Sequence, residues 1–99
     1  MKFFEQHVYD ILKEIPRGKV ITYGQIAQKL GNPQWSRAVG NALHKNPDGD
    51  QYPCYKVVNS KGKLSDAYAF GGIAQQKRRL EAEGIFVEND TVNLKIYGI

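Results

Sequence analysis

The sequence predicts one mainly α domain with small β elements, an α+β fold resembling a winged helix-turn-helix. Three observations predict it. Apolar residues recur at helical spacing through the first half, two short helical stretches are joined by Gly31-Asn32-Pro33, and two extended runs near the C-terminus flank Asn89-Asp90. With 99 residues there is enough chain for one modest core and too little for two, so residues 1–99 are expected to form a single domain.

The elements follow in order. Phe4, Val8, Ile11, Leu12 and Ile15 define an amphipathic helix over residues 3–15, ended by Pro16-Arg17-Gly18. Lys19-Val20-Ile21 is an extended link. Thr22 and Gln25 have the spacing of a capping box, which starts a second helix at Tyr23 with Tyr23, Ile26, Ala27 and Leu30 on its apolar side. After the turn at 31–33, a third helix is expected from Gln34 or Trp35 to about Lys45, with Trp35, Val39, Ala42 and Leu43 facing the core. Lys56-Val57-Val58 and Lys63-Leu64 suggest a hairpin around Asn59-Ser60-Lys61-Gly62. The segment 65–72 is irregular. Residues 73–83 read as a fourth helix with Ile73, Lys77 and Leu80 on one side, stopped by Gly84. Ile85-Phe86-Val87 and the alternating Val92, Leu94 and Ile96 read as two strands.

Composition excludes several function classes. Hydrophobic residues at 41% and charged residues at 24% match an ordinary globular chain and argue against disorder. No apolar run is long enough to span a bilayer, and the first residues lack the apolar core of a secretory signal, so a cytoplasmic protein without a membrane partner is expected. One cysteine cannot form an internal disulfide, and no Cys/His cluster has zinc spacing, so no metal is expected from the residues. Nothing indicates obligate dimerisation, so a monomer is expected. The net charge of +4 favours a polyanionic partner.

Two stretches carry chemistry. The third helix has a second face at i, i+3, i+4 and i+7, made of Arg37, Gly40, Asn41 and His44, which suits close approach to a DNA groove and equally suits a solvated helix side. The basic tip at Lys61 could meet a DNA backbone or serve only as soluble surface. Cys54, in Tyr52-Pro53-Cys54-Tyr55-Lys56-Val57-Val58, lies between a proline that fixes φ and two β-branched residues that favour extended chain. Such a rigid bend would hold a nucleophile, although a lone cysteine is more often a small buried hydrophobe. The aromatics Tyr68 and Phe70 either line a pocket or pin their loop to the core.

Gly18-Lys19-Val20-Ile21-Thr22-Tyr23-Gly24-Gln25-Ile26-Ala27, Arg37-Ala38-Val39-Gly40-Asn41-Ala42, Asn46-Pro47, Pro53-Cys54-Tyr55-Lys56-Val57-Val58 and Glu83-Gly84 together resemble the DNA-binding domain of O6-alkylguanine-DNA alkyltransferases. The chain also resembles the alkyltransferase-like proteins, which share this domain but have lost the acceptor cysteine, commonly to tryptophan. The resemblance implies a partner, double-stranded DNA containing O6-alkylguanine, bound in the minor groove with the damaged base flipped into a pocket. It implies that Arg37 fills the vacated stack, that Ala38 and Gly40 allow close approach, and that Cys54 takes the alkyl group irreversibly. Tyr23 would hydrogen-bond the purine and help protonate the leaving guanine. Backbone carbonyls of Cys54 and Val57 would read its amine, and Asn46 would tie the recognition helix to the cysteine turn. DNA-facing roles extend to Asn41, Lys56 and Lys61, and the lesion pocket to Tyr23, Val57, Tyr68 and Phe70. The resemblance implies no cofactor.

Three departures qualify the resemblance. The family usually follows Pro-Cys with His-Arg, and that histidine, held by a glutamate matching Glu83, relays the thiol proton. Here Tyr55-Lys56 follow, so Tyr55 and Glu83 occupy the relay positions without an imidazole, and Lys56, a helix dipole or the pull of bound DNA is left to stabilise the thiolate. The N-terminal domain of many alkyltransferases is missing from this sequence, and the 65–70 loop looks more like the alkyltransferase-like branch. Three readings stand at this point: a single-use alkyltransferase, a lesion binder that flags damage for other repair proteins, and a small winged-helix regulator with a structural cysteine.

Overall fold

The computed structural model describes residues 2–65 and 68–99, so Asp66 and Ala67 of the irregular loop lie outside the described residues. Helix α1 (Lys2–Lys13) buries Val8 and Leu12 completely, as its periodicity requires. The Tyr9 phenol, on the same side, donates to the Ala42 carbonyl at 2.8 Å and fastens α1 to the end of the third helix.

Strand β1 (Ile21–Thr22) runs into α2 (Tyr23–Lys29), and the capping box is present in both directions. Thr22 Oγ1 accepts from the Gln25 amide at 3.1 Å, and Gln25 Oε1 accepts from the Thr22 amide at 2.9 Å. Gly31 takes φ +109° to end α2, and Asn32 Oδ1 accepts from the Gln34 amide to open a 3₁₀ turn, Pro33–Trp35, before α3 (Ser36–His44). That tighter turn has a consequence for Trp35. With three residues per turn it sits off the buried stripe of Val39, Ala42 and Leu43, so the expected core tryptophan is 41% exposed and meets Phe4 edge-on at 5.9 Å.

A loop leads from α3 to a second 3₁₀ turn, Cys54–Lys56, and to β2 (Val57–Val58). The expected hairpin ladder between 56–58 and 63–64 does not form. Asn59 does close a tight turn, its Oδ1 accepting from the Lys61 and Lys63 amides, but β2 pairs in parallel with β1, Ile21 opposite Val57 and Thr22 opposite Val58. Both valines are buried, which fits a strand packed inside the fold rather than a surface hairpin, and Lys63 bridges Thr91 instead.

Helix α4 (Gly72–Ala82) ends at Gly84, whose φ of +82° matches the expected left-handed stop. Gln76, not Lys77, joins Leu80 on its buried side. Strands β3 (Val87–Glu88) and β4 (Thr91–Val92) form an antiparallel wing around Asn89 and Asp90, both at positive φ. The second strand is shorter than its alternation suggests. Asn93 Oδ1 accepts from the Lys95 amide and starts a helical turn, α5 (Leu94–Tyr97), leaving Ile96 exposed.

Candidate functional site

The fold places Cys54 in a 3₁₀ turn that leads into the buried strand β2. Its amide donates to the Tyr52 carbonyl at 2.7 Å, Pro53 precedes it at φ −74°, and the β1–β2 pairing anchors the residues that follow. The side chain is 5% exposed. Asn46, just past α3, donates through Nδ2 to the Tyr52 carbonyl at 2.8 Å and accepts from the Asp48 amide at 3.0 Å. The end of α3 and the cysteine turn are thereby tied together.

Cys54 borders a cleft of about 500 Å³. Arg37, Gly40 and Asn41 of α3 form one wall; Tyr23, Val57 and Tyr68 complete much of the rest. Arg37 and Asn41 are exposed, and nothing lies within 4 Å of where a Cβ would sit on Gly40, so this face of α3 is open. Ala38, Lys61 and Phe70 lie elsewhere. Ala38 borders a smaller depression beside Phe4 and Trp35, and Lys61 lies on a separate surface with Phe86 and Tyr97. Phe70, expected in the pocket, covers Gly49 instead, its ring 3.0 Å from where a Cβ on that glycine would stand.

Behind the thiol lies a buried polar cluster. Tyr55 Oη donates to Glu83 Oε2, while Glu83 Oε1 accepts from Lys56 Nζ at 2.8 Å and from the Gly18 amide at 2.9 Å. Lys56 Nζ also donates to the Pro16 carbonyl at 2.8 Å. This corrects the DNA contact expected for Lys56, because its side chain is 4% exposed and its ammonium is committed to partners inside the fold. The cation acting on the thiol is Arg79, whose guanidinium stacks 4.6 Å from the Tyr55 ring centre and binds Asp50 at 2.7 Å.

These surroundings set the proton chemistry. Burial pushes the Cys54 thiol above its ordinary value, and the Asn46 amide, its own backbone and the Arg79 charge offset this only in part. Burial also raises Tyr55, and its bond to the Glu83 carboxylate and the charge there lift it further, to about 12. For Glu83, burial alone would raise the carboxyl, but bonds from Lys56, Tyr55 and Gly18, with the Lys56 charge, hold it below its usual range. The arrangement therefore presents a cleft-lining thiol that is protonated at neutral pH, followed in sequence by a phenol that cannot serve as its base.

Two residues of the site escaped the sequence reading. Gln76 is 1% exposed, and its amide donates to the Tyr55 and Val57 carbonyls while accepting from the Ser65 amide. Its spacing, i+3 from Ile73 and i−4 from Leu80, was a usable signal. Arg79 had none, since its partner Asp50 lies 29 residues away.

Residues 3–85 match the family described as 6-O-methylguanine DNA methyltransferase, DNA binding domain. The chain belongs to this family. It is 42% identical to a DNA base-flipping protein of Vibrio parahaemolyticus over 88% of this chain and 85% of that protein. It is 48% identical to a methylated-DNA–protein-cysteine methyltransferase of Methanosarcina acetivorans over 69% of this chain but only 43% of that longer protein. The solved structure of Schizosaccharomyces pombe Atl1 in complex with damaged DNA containing O6-carboxymethylguanine superposes with a TM-score of 0.90 at 38% identity, covering 100% of this chain and 96% of that one. The family thus holds relatives named for base flipping and relatives named for methyl transfer. Among the described residues no helix is long and apolar enough to cross a membrane.

Proposed function

We propose that this chain acts as a monomeric DNA-repair domain that binds duplex DNA with α3 in the minor groove, flips O6-alkylguanine into the cleft and transfers the alkyl group to Cys54. One observation carries the reading. Cys54 borders the same cleft as the open Arg37-Gly40-Asn41 face, so a base leaving a duplex docked on that face enters where the thiol waits. Arg37 occupies the vacated stack. Cys54 loses its proton to solvent, its sulfur attacks the alkyl carbon, the carbon–O6 bond breaks, and guanine leaves with a proton supplied through Tyr23. The thioether is permanent, so each molecule reacts once.

A second reading is favoured by the Tyr55–Glu83 bond. With the relay position held by a phenol donating to Glu83, the thiol has no ready base, and the chain would bind the lesion and mark it for other repair proteins. Intact-protein mass spectrometry after incubation with an O6-methylguanine duplex separates the two. A gain of one methyl group, lost in Cys54→Ala, supports transfer; preferential binding of the damaged duplex with no mass gain supports recognition alone. Equal binding of damaged and undamaged duplex overturns both.

A further inference from the structure

Tyr68 is 8% exposed, and its hydroxyl is the buried side-chain polar atom left without a hydrogen-bond partner among the described residues. Native folds rarely carry such an atom without a reason. Its position is well held: the Tyr68 amide donates to the Ser65 carbonyl, its own carbonyl accepts from Gly72 at the start of α4, and Phe70 packs edge-on at 5.8 Å. The Arg79 guanidinium lies close enough to favour the Tyr68 oxygen by charge and as a hydrogen-bond donor, although no partner of the hydroxyl meets full hydrogen-bond geometry. Arginine carries donors alone, so it could serve the oxygen lone pairs and never the phenolic proton. The unmet need is an acceptor.

Tyr68 and Cys54 border the same cleft, and each lies within electrostatic reach of the other. Under the lesion-binding reading, on which this inference rests, the carbon attached to O6 sits at the Cys54 sulfur and the remainder of a longer substituent extends along the wall that holds Tyr68. Burial raises the phenol above its ordinary value, which keeps it a donor at neutral pH. We propose that Tyr68 is a specificity-determining residue whose hydroxyl donates to O6 substituents bearing an accepting oxygen, hydroxyalkyl and carboxyalkyl groups above all. Purely aliphatic adducts leave the donor unmet, and the site discriminates against them for that reason.

The test compares two substituents of equal heavy-atom count, 2-hydroxyethyl and propyl, on O6 of guanine in otherwise identical duplexes. Fluorescence anisotropy titrations in a Cys54→Ser background, where no alkyl group moves, are run with Tyr68 and with Tyr68→Phe, alongside O6-methylguanine and undamaged duplexes. The expected result is a preference for hydroxyethyl over propyl of about three- to tenfold that collapses in Tyr68→Phe. The same variant should melt at a higher temperature, because it removes an unpaired buried hydroxyl, a change that a structural role for the phenol would not produce. A preference unchanged in Tyr68→Phe overturns the assignment. So does an equal loss of transfer rate on methyl and hydroxyethyl adducts when Tyr68→Phe is made with Cys54 intact, since the donor would then serve the sulfur. Failure of the underlying reading looks different: all four duplexes bind alike.

Discussion

Replacing Tyr55 with histidine tests whether proton removal from Cys54 limits transfer. With a pKa of about 12, the Tyr55 phenol is ionised in roughly one molecule in 40,000 at pH 7.4, whereas an imidazole with the ordinary pKa of about 6.5 is about nine-tenths neutral base. Glu83 Oε2, which now accepts from the phenol, is placed to accept an imidazole N–H and hold the ring. A positioned base of this kind contributes about 10²- to 10⁴-fold to a proton-transfer-limited step. The wild-type transfer rate should rise about tenfold per pH unit through neutrality, because burial holds the thiol above its ordinary value and only the thiolate reacts. In Tyr55→His the rate should be at least about tenfold higher at pH 7.4 and should level off above the imidazole pKa. Single-turnover transfer from a methyl-labelled duplex between pH 6 and 10 reads both quantities. If the recognition-only reading holds, the same substitution switches on transfer from an undetectable start. Parallel pH profiles, with no gain at neutral pH, would refute the reasoning.

Three further outcomes are expected. Glu83→Gln leaves Lys56 buried and uncompensated, which should cost about 3–5 kcal/mol at pH 7 in urea unfolding; a cost below about 1 kcal/mol would remove the cluster from the account of stability. Because the folded Glu83 carboxyl lies below its ordinary value, its contribution is complete above the unfolded carboxylate range and is lost as pH falls through the folded pKa, so this variant should also show a shallower acid loss. Arg37→Ala should lower discrimination for alkylated over undamaged duplex by about tenfold while changing the salt dependence little, as expected of a side chain in the stack rather than on phosphate; equal losses on both duplexes would exclude that role. Gly62→Ala would place a Cβ 2.1 Å from the Val92 carbonyl oxygen at φ +85°. The expected cost is about 2 kcal/mol or more, a fall in Tm of about 10 °C in a domain of this size, and an unchanged Tm would contradict the close approach.

What could be read from the sequence depended on how far apart the interacting residues lie. The capping box at Thr22 and Gln25, the glycine stop at Gly84 and the turn at Asn89-Asp90 are each written within a few residues, and each formed as expected. The open polar stripe of α3, Arg37, Gly40 and Asn41, was equally local, since one helix displays it. The parallel pairing of β1 with β2 joins residues 36 apart, and two-residue strands have no periodicity to reveal it, so the 56–64 segment read as a hairpin. Val92, Leu94 and Ile96 misled for a related reason. Three alternating positions fit a strand, but one asparagine cap was enough to turn the chain into a helix.

The proton side of the site was the least legible part, and its physics explains why residue 55 matters so much. Glu83 meets Lys56 and Tyr55 across 27 and 28 residues and Gly18 across 65, distances at which sequence spacing carries no signal. Lys56 and Gly18 both bind Oε1, which locks the carboxylate between the end of α4, the cysteine turn and the link before β1. One oxygen, Oε2, remains for residue 55. Histidine there would donate one N–H and keep its second nitrogen as a base, whereas tyrosine donates its only proton and has nothing left to offer the thiol. The scaffold is therefore built to orient a group at position 55 whichever residue occupies it. Under the transfer reading the thiol must therefore lose its proton to solvent, because tyrosine lacks the second nitrogen that would take it.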